Sequence, residues 1–149
     1  MKKYIALIPA IVFLFANPAF GQDIPASEVP SVIKNNFLLE YPKATDVDWE
    51  MEKNCYKVDF ELNNNTEYKI WYSAAGDMVK REEEINKHDL PAIILSKIQA
   101  DFKDYRIDEV DKVTTETEVY YEIELKSLLK KEWEITIDAN GKIRSKIAE

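Results

Sequence analysis

The apolar positions of this chain fall into two periods that alternate and then repeat. Ile33, Phe37 and Tyr41 recur at i, i+4 and i+8, as do Ile94, Ile98 and Phe102, each set giving one apolar face of a short helix. Pro30 and Pro91 are expected in the first turns, where a missing N–H costs nothing, and Asp89 is placed to cap the second helix. Pro42 is expected to stop the first. Period-two segments follow. Val47, Trp49 and Met51 alternate with acids, and Tyr56, Val58, Phe60 and Leu62 alternate with Lys57, Asp59 and Glu61. Tyr68, Ile70 and Tyr72 form the next apolar face, and Met78 to Glu83 returns along it. Asn63-Asn64-Asn65 and Ala74-Ala75-Gly76-Asp77 read as turns, since Asn and Gly tolerate positive φ.

The second half repeats the first. Val29-Pro30-Ser31-Val32-Ile33 matches Leu90-Pro91-Ala92-Ile93-Ile94 at an offset of 61, and Tyr56–Phe60 matches Tyr121–Leu125 at 65. The larger offset persists through Tyr68/Trp133, Ile70/Ile135 and Gly76/Gly141, so one four-residue length change reconciles the two. Shared order, a single insertion and matched turn glycines point to duplication. Tyr121, Ile123 and Leu125, then Trp133, Ile135 and Ile137, supply the equivalent strands, and Ile143 to Ile147 the last. A first strand between Ile107 and Val113 has ambiguous phase. The expectation is an α+β protein: tandem α-β-β-β-β repeats forming one antiparallel sheet of about eight strands, with helices packed on one face.

The N-terminus adds a compartment. Lys2-Lys3, an apolar run from Ile5 to Phe15 and Ala19-Phe20-Gly21 describe a secretory signal peptide cut after Gly21. Asn17 and Pro18 end that run short of the roughly 20 residues an anchor needs. The organisation expected is a signal peptide over 1–21, a first repeat over 22–87 and a second over 88–149, with periplasmic or secreted location and no stable membrane anchor after cleavage. Loss of Lys2 and Lys3 takes the 20 basic residues to 18 against 28 acidic, and the formal charge from −8 to −10. Such a surface repels phosphate backbones, which disfavours nucleic acid and leaves a basic partner or a cation permitted. Cys55 is the only cysteine, so no intramolecular disulfide forms and a packed core must supply stability.

In their order, the Leu90-Pro91 helix start, the Trp49 strand, the Tyr56-x-Val58-x-Phe60 strand and the two Gly hairpins resemble the PepSY-like family, also called β-lactamase-inhibitor-like. The resemblance spans the mature chain and implies a concave eight-stranded sheet with helices on its convex side. In β-lactamase inhibitor proteins of this kind the open face clasps a protein partner. Disulfides join their units, and a chain with one cysteine departs from them there.

No catalytic apparatus is legible. His88 is the only histidine and stands beside no nucleophile motif. Three glycines, one of them in the signal peptide, leave no phosphate cradle, and no cofactor or metal set is expected. Asp138-Ala139-Asn140-Gly141 resembles part of a calcium loop but lacks its distal ligands, and Asn-Gly is more simply a turn. The informative face is the one opposite Tyr68, Ile70 and Tyr72. It carries Lys69 and Trp71, with Tyr120 among Asp59, Glu61, Glu122, Glu124 and Glu134. Trp71 matches Thr136 in the second copy, so the repeated core does not demand an aromatic there. Aromatics amid charge on an uncovered sheet suit a protein or peptide interface. The alternative uses are a bland one, in which Trp71 packs on lysine stems, and a calcium-responsive one using the clustered carboxylates.

Overall fold

The computed structural model describes residues 21–63 and 66–148. The expected signal peptide up to Phe20, and Asn64 and Asn65 of the expected Asn turn, lie outside the described residues. The chain forms one sheet in which every strand pairs antiparallel with its sequence neighbour. A two-residue β1 (Gln22–Asp23) precedes α1 (Ser31–Glu40), β2 (Thr45–Glu52), β3 (Cys55–Leu62), β4 (Thr66–Tyr72) and β5 (Met78–Glu84). A 3-10 turn (Lys87–Asp89) then leads to α2 (Ala92–Asp101), β6 (Arg106–Thr115), β7 (Val119–Lys126), β8 (Trp133–Asp138) and β9 (Ile143–Ala148). Helix-plus-four-strands therefore occurs twice, and the short β1 makes nine strands of the expected eight or so.

The two helices begin and end by identical backbone devices. Pro30 and Pro91 occupy the cap position, one residue before the first helical one, rather than the first turn. Their carbonyls accept from Ile33 and Lys34, and from Ile94 and Leu95, at 2.9–3.2 Å. Asp89 does not cap α2. A residue before proline is driven to extended backbone, as Leu90 is at φ −61°, ψ 140°, which leaves Asp89 too far upstream. The side-chain cap falls one turn earlier, where Asn86 accepts from the His88 N–H at 3.0 Å. Both helices close with a bond from an aromatic N–H, Tyr41 to Phe37 and Phe102 to Ile98, each 2.8 Å. Since Lys103 stands where the first unit has Pro42, the proline is not what ends the helix.

Each unit closes its own core on the helix side of the sheet. Ile33, Phe37 and Tyr41 pack on Trp49, Val58, Phe60, Ile70 and Tyr72. Ile94, Ile98 and Phe102 pack on Val110, Ile123, Leu125, Ile135 and Ile137. The first core is aromatic, with Phe37 edge-on to Trp49 at 5.5 Å and to Phe60 at 5.0 Å. The second is mostly aliphatic, with Phe102 and Tyr121 at its margin, each fully buried Ile or Leu contributing about 2 kcal/mol. Val47 is the exception to its strand's period, at 37% exposure. The ladder slips between Thr45 and Asp48, with Asp46 at φ 49°, and that bulge throws Val47 outward.

The β4–β5 and β8–β9 hairpins dock onto the helices. Gly76 has φ 97°, and a Cβ on it would meet Val32 Cγ2 at 3.0 Å, while its carbonyl accepts from Asn36. Gly141 has φ 84° beneath Ile93. Asp138 Oδ1 accepts from the Asn140 and Lys142 N–H groups at 2.9 and 3.0 Å, an Asx-type turn that uses the carboxylate a calcium loop would need. Where the units meet, at β5 and β6, the helix-side row is polar: Ile70 pairs with Arg81, Arg81 with Thr114, and Glu83 with Lys112.

Candidate functional site

Strand register places three rows of side chains across the face that no helix covers. One runs Asp48, Asp59, Lys69, Glu82, Val113, Tyr120, Asp138. A second runs Glu50, Lys57, Trp71, Lys80, Thr115. A third runs Glu84, Asp111, Glu122, Thr136, Ser145. Glu61 pairs with Glu67, and Glu124 with Glu134, on the same face. All eight residues singled out from the sequence, Asp59, Glu61, Lys69, Trp71, Tyr120, Glu122, Glu124 and Glu134, therefore share this surface, though they span its full width.

Trp71 is the floor of the face rather than its peak. Only 9% of it is exposed. Its cross-strand neighbours carry Lys80 Nζ at 4.2 Å and Lys57 Nζ at 5.8 Å from the ring centroid, and its indole N–H donates to Glu52 at 3.1 Å. The lysine stems cover the ring while their ammonium groups reach carboxylates: Lys57 pairs with Asp59 at 2.9 Å and Glu50 at 3.3 Å, and Lys80 with Glu82. Burial opposes the charge on both lysines, but these contacts prevail and hold both above the usual lysine value. Tyr120 is half-buried, with the Arg144 guanidinium 5.5 Å from its ring centre.

At the seam between units the face becomes densely acidic. Val113 is wholly buried there without belonging to either core, and Glu82 beside it is 8% exposed. Burial pushes Asp111 and Glu122 above the usual carboxylate range. Lys69 partly offsets this at Asp111 and Lys80 at Glu122, while Glu82 raises both. Glu109 is raised too, by burial and then by Asp111 and Glu124. Among the described residues no three Asp, Glu, His or Cys side chains are arranged to hold one metal ion. Lys80, Glu82, Asp111 and Val113 are the members sequence reasoning missed. Carrying the period of β4 through the β5 pairing would have found the first two; the bulge between Ile107 and Val110 hides the phase of β6.

Cys55 is free and partly buried. His88 is exposed at the 3-10 turn.

An open antiparallel sheet carrying two helices on one face, built from two equivalent halves, defines the class: a tandem, open-faced α+β module. The family model described as "Putative beta-lactamase-inhibitor-like, PepSY-like" matches residues 19–78 and 54–145, and the chain belongs to that family. A comparison with curated proteins finds no match. Among solved structures, a DUF2874 family protein from Bacteroides uniformis is similar at 19% identity and TM-score 0.70, over 80% of this chain and 88% of that one. A structure from Bacteroides eggerthii described as "putative periplasmic proteins" is similar at 18% identity and TM-score 0.72, with the same coverage. A BLIP-like protein from Bacteroides fragilis is similar at 19% identity and TM-score 0.66, over 84% of this chain and 87% of that one. At these identities the likeness is one of fold. Among the described residues no helix is long and apolar enough to cross a membrane.

Proposed function

We propose that this protein is an exported, non-catalytic, inhibitor-like binding module that offers its helix-free sheet face to a basic protein or peptide segment. The observation that carries this reading is a sheet face with no helix over it whose carboxylates outnumber its lysines and crowd at the seam. Asp111 and Glu122 sit there, half-buried and held above their usual range first by burial and then by neighbouring carboxylates, so a cationic side chain from a partner would offset a cost the fold leaves standing. Tyr120 and the lysine-covered Trp71 supply a stiff, partly apolar platform beneath that charge. The family's description and the BLIP-like neighbour support an inhibitory sense, and the signal-like N-terminus with the neighbour described as periplasmic supports export.

The test is a comparison of two charge-reversed proteins in capture from periplasmic extract. A protein retained by wild type and by Glu28→Lys, but lost by Glu61→Lys/Glu122→Lys/Glu134→Lys, is the expected outcome. Retention by the triple variant would remove the acidic face as the interface. Purified candidates, β-lactamases among them, can then be assayed for inhibition directly.

A further inference from the structure

A cavity of about 640 Å³ lies away from the open sheet face, at the edge of the second unit between α2 and the start of β6. Its floor is apolar, made by Leu95, Ile98, Phe102 and Ile107. Three cations stand on its rim, Lys87, Lys103 and Arg106, beside the imidazole of His88, and no carboxylate lines it. Arg106 is partly neutralised by Asp108 at 2.6 Å, whereas neither Lys87 nor Lys103 has a carboxylate within 4 Å among the described residues. Such a gathering of positive charge is notable in a chain of formal charge −8.

The first unit serves as an internal control. At the offset of 61, Lys87, His88, Lys103 and Arg106 correspond to Ala26, Ser27, Pro42 and Thr45, none of them basic. Leu95 corresponds to Lys34, whose ammonium crosses that space and donates to the Ala26 carbonyl at 2.9 Å. The same helix start, helix end and strand start thus form in the first unit with that space crossed by a lysine and with no basic residue at the four rim positions. The fold explains Ile98 and Phe102, which match Phe37 and Tyr41 in the first core, but it does not explain an open apolar floor ringed by cations.

From this geometry we infer that the cavity is a binding site for a small amphiphilic anion, of the class of a medium-chain acyl carboxylate. The chain lies on the floor and the carboxylate rests against Lys87 and Lys103. The volume is within the usual range for small-molecule sites. The charge balance selects the head group, because elsewhere the acidic surface repels an anion and here it is met by cations.

Titration calorimetry of the purified protein with dodecanoate, below the concentration at which it forms micelles, tests the assignment. Saturable binding of one equivalent is expected, with a dissociation constant of roughly 10–100 µM. Dodecanol and dodecyltrimethylammonium should bind about tenfold more weakly or not at all. Lys87→Ala/Lys103→Ala should weaken dodecanoate about five- to tenfold, the sum of two exposed charge contacts. Leu95→Lys, which installs the side chain the first unit already tolerates, should weaken it at least tenfold with an unchanged melting temperature. No saturable binding, equal binding of the cationic amphiphile, or undiminished binding by both folded variants would overturn the site. Anionic phosphatidylglycerol vesicles form the remaining arm. Adsorption to them without binding of monomeric dodecanoate would also overturn it, in favour of a lipid surface.

Discussion

Replacing Trp71 with Thr, the residue the second unit carries at the same place, separates a structural floor from an interface anchor. The indole is 9% exposed, lies under two lysine stems and donates one hydrogen bond to Glu52. Truncating a Trp in a closed core costs about 3–5 kcal/mol. Trp71 has no second layer above it, so the lower end applies to its packing. Loss of the cation–π contacts adds about 0.5–1 kcal/mol. The Glu52 bond adds little, since Glu52 is only partly buried and regains water. A total of about 3.5–4 kcal/mol corresponds to a fall of about 13 °C in Tm for a domain of this size. Circular dichroism melts of wild type and Trp71→Thr, with urea unfolding to check that the slope is unchanged, measure it. A Tm within 2 °C of wild type would refute the reasoning, because it would mean the ring contributes nothing to the folded state. Unchanged Tm together with lost partner capture would make Trp71 an anchor after all.

Glu122→Gln should raise Tm at pH 7.5 and leave it unchanged at pH 4. Its folded value is raised, so the native state holds that proton better than the unfolded chain; the associated stability is present below the ordinary value near 4.5 and is lost as pH rises through the raised one. A variant less stable than wild type at pH 7.5 would contradict the crowding at the seam. Gly76→Ala should cost about 1–2 kcal/mol, or roughly 4–8 °C, since φ 97° is unfavourable for any side chain and its Cβ would meet Val32. No loss in a melting assay would mean the hairpin relaxes away from α1. Calcium at 10 mM should raise Tm no more than magnesium at equal ionic strength. A site with a millimolar dissociation constant would add about 1.4 kcal/mol, and a calcium-specific rise of several degrees would restore the cation-responsive reading.

What the sequence made legible is what the chain needs twice. Ile33/Ile94, Val58/Ile123 and Ile70/Ile135 are buried in both units because helix face and strand face must close together, and period alone finds them. Register-breaking features were not legible. The bulges at Asp46 and between Ile107 and Val110 insert a residue without any periodic signature, and so Val47 was assigned inward and the phase of β6 stayed open. The open face was identified from Lys69 and Trp71, and the packing of Trp71 on lysine stems was legible as one of two readings; what decides for it is the pairing that sets Lys57 and Lys80 on either side of the ring. Its densest acidic region, at Glu82, Asp111 and Glu122, required the β5–β6 pairing across an intervening helix.

Because each unit closes its own core, positions outside the two cores are free to diverge, and their divergence is where use can be read. At Trp71 against Thr136 the difference is absorbed locally: one copy builds a lysine-covered ring, the other a hydroxyl pair in which Ser145 donates to Thr136 at 2.9 Å. At Asn63 against Leu128 it is not absorbed, since Leu128 and Leu129 stand 99% and 95% exposed on the β7–β8 loop. At Lys34 against Leu95 one copy crosses a space that the other leaves open and rims with cations. A difference that packing absorbs is the ordinary drift of a duplicated core. A difference that leaves apolar surface uncovered beside Lys87 and Lys103 is maintained against the hydrophobic effect, and a bound amphiphile would remove that cost.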